Sequence, residues 1–249
     1  MRPSLFHECP PAACPPQKCA TLKGRTVAVL RVSLVGSLLS VLILVANVRT
    51  RAQEPVDLRT FVTSTYSHGL PYVDAHAYGR DAVPSLVAML NDQSLEPHWA
   101  KIVVTLGFIE DPSAVQPLMD FMKRQTGAIS SDAFRAILSV LPAVGQIAYR
   151  GDPTALEIIT AFVDPSAYRS YGIDFVYSRY HDEAIGEVLG RADIMALGVS
   201  GRPEALALLK QMLADPALRP AWKPEVTNAI DVNQKMSTLG PEQVFAKEP

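Results

Sequence analysis

Residues 110–122, EDPSAVQPLMDFM, carry a pattern that occurs four times in the chain. A turn is followed by an alanine, and apolar residues then lie one, four, seven and eight positions after that alanine. The same order starts at Gly79, Gly151 and Gly201 without a gap in the register. Apolar residues at this spacing form one stripe along an α-helix, so each copy predicts an amphipathic helix that needs a partner to cover its stripe.

The start of the repeated helix is encoded locally. Asp111 and Asp152 can accept hydrogen bonds from the unpaired amides of the first turn, and Pro112, Pro153 and Pro203 occupy a position where no donor is lost.

An apolar segment precedes three of the four turns and is the predicted partner helix. These segments are residues 97–109, 132–144 and 184–199. A glycine near the end of each, at positions 107, 145 and 198, lets two helices approach closely or lets the chain turn. The sequence therefore predicts an all-α body of paired helices.

This arrangement resembles the HEAT-repeat family, specifically the short bacterial HEAT-like repeats also found in phycobilin lyases, over about residues 78–215. The residues that carry the resemblance are Leu-Gly before the turn, Asp-Pro or Arg-Pro at the turn, and alanine followed by an apolar residue after it. The resemblance implies a short right-handed α-α superhelix, a HEAT-like solenoid of about four to five irregular helix pairs. The repeat is irregular because insertions are expected around residues 123–131, 147–150 and 168–182.

Composition agrees with helices and argues against a nucleic-acid partner. Apolar residues make up 48% of the 249 residues and aromatic residues only 7%, which favours tightly packed helices over a β-sandwich. The first 52 residues hold seven Lys or Arg and one Glu, so the remainder has 16 basic and 24 acidic side chains and a net charge of −8. Such a body would repel a phosphate backbone.

The N-terminal segment predicts export. Residues 32–48 carry no charge and follow basic residues, as in a secretory signal, and a cut after Ala52 would release residues 53–249. The alternative is retention as a membrane anchor, the only membrane contact we predict. Either way the body is expected to be periplasmic or extracellular.

The predicted division of the chain has three parts. Residues 1–52 form an unstructured leader with the apolar segment, residues 53–236 the HEAT-like body, and residues 237–249 a flexible tail. Cys9, Cys14 and Cys19 all lie in the leader at a spacing that lacks a zinc knuckle, and an alternative start codon near Val27 or Leu30 would leave them without meaning.

No motif points to a reaction, a cofactor or a metal site. His76 and His181 are the candidates weighed for metal binding or proton transfer, but there is no pair of histidines at metal-ligand spacing, no nucleophile elbow and no phosphate loop. We therefore expect no catalytic, cofactor-binding or metal-binding residues.

The second of the two longer insertions, around residues 168–182, is the predicted contact surface, and we call it the second insertion. Tyrosine and arginine favour interfaces because each combines a large contact area with a polar tip. The candidate residues are Tyr168, Arg169, Tyr171, Phe175, Tyr177, Arg179 and Tyr180. The alternative is that these rings pack inward and fill the space left by the longer repeat.

The leading interpretation of function is a non-catalytic scaffold or adaptor that binds a protein or peptide. The alternatives are a membrane-anchored structural subunit and, by analogy of fold alone, a lyase-like enzyme.

Overall fold

The computed structural model of the protein describes residues 56–245, which are mostly α-helical as predicted. The predictions for the leader, the apolar segment and the three cysteines lie outside these residues. Among residues 56–245 no helix is both long and apolar enough to cross a membrane.

The elements follow one another in this order. The first half contains α1 (Leu58–Thr63), α2 (Tyr72–Ala77), α3 (Val83–Leu90), α4 (Trp99–Ile109), α5 (Val115–Arg124), β1 (Thr126–Ala128) and α6 (Ser131–Tyr149). The second half contains α7 (Pro153–Ala161), α8 (Ala167–Ser170), β2 (Asp174–Val176), α9 (Glu183–Val199), α10 (Pro203–Ala214), α11 (Lys223–Leu239) and α12 (Pro241–Phe245). Short 3-10 turns lead into α3, α4, α5 and α11.

The helices form two rows. The inner row runs α2, α4, α6, α9 and α11, each packed against the next. The outer helices cover this row: α3 packs against α4, α5 against α6, α7 against α6 and α9, and α10 against α9 and α11. The sequence paired each outer helix with the inner helix before it, whereas α5 packs mainly against the inner helix that follows.

Glycine sets the distance between successive inner helices. A Cβ atom on Gly107 would lie 2.7 Å from Cα of Ala143, one on Gly145 would lie 2.4 Å from the carbonyl oxygen of Ala196, and one on Gly198 would lie 3.1 Å from that of Ala229. At each crossing a glycine of one helix therefore meets an alanine of the next. The predicted close approach is present at three of the four steps of the row, those from α4 to α11.

The predicted helix starts are also present. The Asp111 carboxylate accepts a hydrogen bond from the Ser113 amide at 2.9 Å, and the Asp152 carboxylate accepts one from the Ala155 amide at 2.7 Å. Pro153 and Pro203 are the first residues of α7 and α10, and Pro112 opens the 3-10 turn before α5.

The only strands in residues 56–245 come from two of the predicted insertions. β1 and β2 pair in parallel, with Gly127 opposite Phe175. The Ile129 amide extends the ladder with a 3.0 Å bond to the Val176 carbonyl. The two insertions therefore support each other, although they are about fifty residues apart in the sequence.

The end of the body differs from the prediction of a flexible tail from residue 237. Helix α11 continues to Leu239, and after a turn at Gly240 (φ +80°) the chain forms α12. The α12 helix packs against α2, so residues 237–245 belong to the helical fold. The segment is mostly polar and therefore resembles a tail in the sequence. Its single aromatic ring, Phe245, packs against the body.

Candidate functional site

An apolar groove runs along the inner row and is the best candidate for a binding site. Its volume is about 720 Å³, and α6, α9 and α11 line it, with α12 at one end. The side chains that form most of its apolar surface are Leu138, Pro142, Val188, Met195, Ala229 and Val232. We call this surface the inner groove.

Met195 lies in the middle of α9 and is the most exposed large apolar residue in the groove, at 59% exposure. An exposed methionine costs free energy in water, and its flexible, polarisable side chain adapts to many apolar surfaces. Val188, Ala192, Met195 and Val199 all line the groove from α9, at the spacing of one helical stripe. Val199 is buried and Val188 and Ala192 are half-buried, so Met195 is the exposed point of this stripe.

A proline adds a polar feature to the α6 wall. Pro142 lies inside α6 and has no backbone N–H, so the carbonyl of Leu138 lacks its usual helical donor. Both residues line the groove. A hydrogen-bond donor on a ligand could satisfy this carbonyl.

The rim of the groove is polar and aromatic. Arg191 of α9 donates to the Glu225 carboxylate of α11, with an Nε–Oε2 distance of 3.1 Å. On the α6 side the Phe134 ring stacks with the rings of Tyr177 and Tyr180 at centroid distances of 4.1 and 5.4 Å. An apolar floor with an Arg and Tyr rim is typical of a protein-binding surface.

The α12 helix occupies one end of the groove. Val244 and Phe245 both line it, and the Phe245 ring also contacts the rings of Tyr72 and Phe108, at centroid distances of 5.6 and 5.3 Å. The groove thus already receives two side chains from a short helix of the same chain.

A buried polar network lies next to this contact. The Tyr72 hydroxyl donates to Glu110 at 2.8 Å, and Arg150 pairs with the other carboxylate oxygen of Glu110. Burial, followed by the hydrogen bond to Glu110, raises the pKa of Tyr72 far above its ordinary value. His76 bonds through Nδ1 to the Phe108 carbonyl at 2.7 Å, so this nitrogen carries the proton. The arrangement holds α2, α4 and α6 together, and it gives His76 a structural role.

The predicted contact residues of the second insertion divide into several groups. Tyr168 and Phe175 are buried in the core, and Tyr171 is half-buried against Phe162, as the packing alternative expects. Arg169 and Arg179 are exposed.

Only the end of the insertion reaches the inner groove. Tyr180 lines the groove, and the Tyr177 ring stacks on the ring of Phe134, which also lines it. The insertion therefore supplies part of the groove wall and does not bring its seven candidate residues together as one surface.

A second cavity of about 530 Å³ lies between α8, α9 and the turn before α11. Tyr168 and Arg169 line it, together with Arg219 and Trp222. Arg169 lies 3.9 Å from Glu183, and Arg219 pairs with Glu187 at 2.5 Å. Because both arginines already have carboxylate partners, this cavity is a weaker candidate than the groove.

Of the two glycines of α9 outside the groove, only Gly186 is required by a close contact. A Cβ on Gly186 would lie 1.9 Å from the Pro165 carbonyl oxygen, and the nearest atom to one on Gly190 would be 3.8 Å away, in the Trp222 ring.

Asp193 is buried in α9 and has a carboxylate oxygen without a hydrogen-bond partner. It lies two positions before Met195, about 200° around the helix, and therefore on the face away from the groove. Loss of solvation raises the pKa of its carboxyl well above the ordinary value. Ionisation of Asp193 would therefore destabilise the folded chain, and the residue is not part of the candidate site.

Replacing Asp193 with asparagine is expected to stabilise the protein increasingly as the pH rises. The unfolded chain loses the Asp193 proton above about pH 4 while the folded chain retains it, so this residue lowers stability at higher pH. Asparagine is also polar at this position but has no proton to lose, so the gain in the free energy of unfolding should be small at pH 4 and larger at pH 8. Urea denaturation at pH 4 and pH 8 measures this difference, and an equal gain at both values would contradict it.

Within residues 56–245, no group of three or more His, Cys, Asp or Glu side chains could hold a metal ion. His181 is exposed and bonds its neighbour Asp182 at 3.0 Å. Neither histidine therefore belongs to a group of three metal-ligating side chains in this part of the chain.

No family model matches the chain, and no curated protein or solved structure matches it either. The proposal of a function for residues 56–245 therefore rests on the inner groove.

Sequence reasoning missed the groove because its residues come from four helices. One signal was available: residues 188, 192, 195 and 199 form a second apolar stripe on α9, in addition to the stripe that faces the core. A helix with two apolar faces needs two partners, and the second face of α9 is open at Met195.

Proposed function

We propose that this chain is an exported HEAT-like repeat protein, folded as a short right-handed superhelix, that binds an amphipathic helix of a partner protein in the inner groove. The role is non-catalytic: the groove holds the partner and performs no reaction on it. The exposed side chain of Met195, on a second apolar stripe of α9 that lines the groove, is the observation that carries this proposal.

Three features support a helix as the occupant. Apolar side chains of three neighbouring helices, α6, α9 and α11, line the groove, and an apolar helix face can pack against such a surface. Its flexible methionine suits packing against varied side chains. The α12 helix of the chain itself places Val244 and Phe245 in one end of it.

The charge of the body indicates the polar face of the partner. Residues 56–245 contain 15 basic and 22 acidic side chains, a net charge of −7. Arg191, the basic residue of the groove lining, is already paired with Glu225. A helix with Lys or Arg on its polar face would therefore be attracted to this body, and an acidic helix would be repelled.

Replacing Met195 with arginine is expected to weaken binding of such a helix at least about tenfold, because a charge would replace the centre of the apolar surface. A suitable probe is a synthetic peptide of about 15 residues, with Leu and Phe on one face and Lys on the other, a length at which a helix becomes stable. Fluorescence anisotropy of the labelled peptide with the full chain gives the affinity. Since Met195 is exposed, the substitution leaves the core intact.

Val176→Arg is the matched control. Val176 is also an exposed apolar residue, at 40% exposure, but it lies on β2 and does not line the groove. This variant should bind the peptide as the unmodified chain does. If Val176→Arg weakened binding and Met195→Arg did not, the contact surface would be the second insertion and the groove proposal would be wrong.

A further inference from the structure

The α12 helix is held in place by few interactions. It has five residues, fewer than an isolated helix needs, and it follows a glycine with a positive φ. Pro241 is the one buried residue of α12, Glu242 and Gln243 are exposed, and Val244 and Phe245 are half-buried. A short terminal segment anchored by so few apolar contacts belongs to the least stable part of a fold.

The surface beneath α12 continues the inner groove. The Phe245 ring lies in the groove and also against Tyr72 and Phe108, whose own rings meet edge to face at 5.1 Å. If α12 moved away, these two rings would become a further aromatic part of the groove. The full apolar surface is therefore longer than the part now open.

The charge of α12 makes it a poor ligand for this body. Its one charged residue, Glu242, has the same sign as the net charge of residues 56–245. A helix that places a Val-Phe-like apolar pair in the same position, with a basic residue instead of Glu242, would make the same apolar contacts without that repulsion.

Resting on the function proposed above, we infer that the partner helix takes the place of α12, so that α12 is a built-in competitor and the complete binding surface extends to Tyr72 and Phe108. The partner is then a basic amphipathic helix with an adjacent aliphatic and aromatic residue. Partner binding and docking of α12 exclude each other.

Removal of α12 from the groove should therefore strengthen binding. A chain with α12 docked in the groove cannot bind the partner. The apparent affinity is therefore the intrinsic affinity multiplied by the fraction of chains in which α12 is undocked. We expect the basic Leu, Phe and Lys peptide to bind at least about threefold more tightly to a chain that ends at Gly240 than to the full chain. Phe245→Ser, which keeps the chain length and removes the ring, should act in the same direction, and circular dichroism checks that both variants stay helical.

Hydrogen–deuterium exchange gives a second readout on the unmodified chain. Saturation with the peptide should increase exchange in residues 241–245 and decrease it in the part of α9 around Met195. Protection at Met195 with unchanged exchange and equal affinities in all three chains would overturn the displacement of α12 while leaving the groove as the binding site. Weaker binding to the shortened chain would also overturn it, because α12 would then belong to the site. Absence of binding to every chain would overturn the proposed function itself.

Discussion

Replacing Gly145 with alanine is expected to lower the free energy of unfolding by about 3 kcal/mol, the upper end of the usual cost of overpacking a core. The added Cβ would lie 2.4 Å from the carbonyl oxygen of Ala196 and 2.8 Å from its Cα. Both are backbone atoms, so no side-chain rotation can relieve the overlap, and α6 and α9 would have to separate. Urea denaturation followed by circular dichroism measures the loss.

Gly190→Ala is the matched control, since it makes the same change inside a neighbouring long helix. The nearest atom to its added Cβ is in the Trp222 ring at 3.8 Å, an ordinary contact distance. Because alanine favours the helix over glycine by about 1 kcal/mol, this variant should be as stable as the unmodified chain or more stable. Equal losses from both substitutions would show that the crossing of α6 and α9 is not as close as described.

Replacing Phe175 with alanine is expected to cost about 3–5 kcal/mol, the usual range for a buried phenylalanine. The Phe175 side chain is fully buried, and its ring lies against that of Phe134 with a centroid distance of 6.2 Å. The same residue belongs to β2, so the cavity would also loosen the pairing with β1. Thermal unfolding and urea denaturation would both report the loss.

Arg179→Ala is the comparison for this prediction. Arg179 belongs to the same insertion but is exposed, so its removal should change stability by no more than about 0.5 kcal/mol. If Phe175→Ala left stability unchanged, the insertion would not pack inward, and its aromatic residues would again be free to contact a partner.

The helices themselves could be predicted from the sequence because their signals are local. Asp111 and Asp152 bond amides two and three residues ahead, and the apolar stripe of each helix repeats within a few turns. These features depend on the chemistry of a short segment, and any segment with the same residues would show them.

The contacts between distant segments could not be predicted in the same way. The sequence indicates that Gly145 permits a close approach, but nothing near Gly145 indicates that Ala196 is the residue approached. Pairing of β1 with β2 likewise depends on two insertions that the helix stack brings side by side. A helical repeat pattern gives no sign of a parallel strand pair.

The candidate site was predicted only in part, because exposure depends on the whole fold. The second insertion stood out for its rings, yet folding places Tyr168 and Phe175 in the core and leaves Tyr180 at the groove. The α12 helix occupies one end of the groove, and the segment that forms α12 is polar enough to resemble a tail. From the sequence alone, Asp193 is expected on the surface of a helix, but the fold buries it.

The central claim is that an amphipathic helix binds against Met195 in the inner groove. Methyl NMR of the full chain labelled with ¹³C-methyl methionine tests it directly, with the basic Leu, Phe and Lys peptide as titrant. The methyl signal of Met195 should shift until the peptide saturates, while the signals of the buried Met119 and Met122 stay in place. A Met195 signal that does not move when the peptide is bound would contradict the claim.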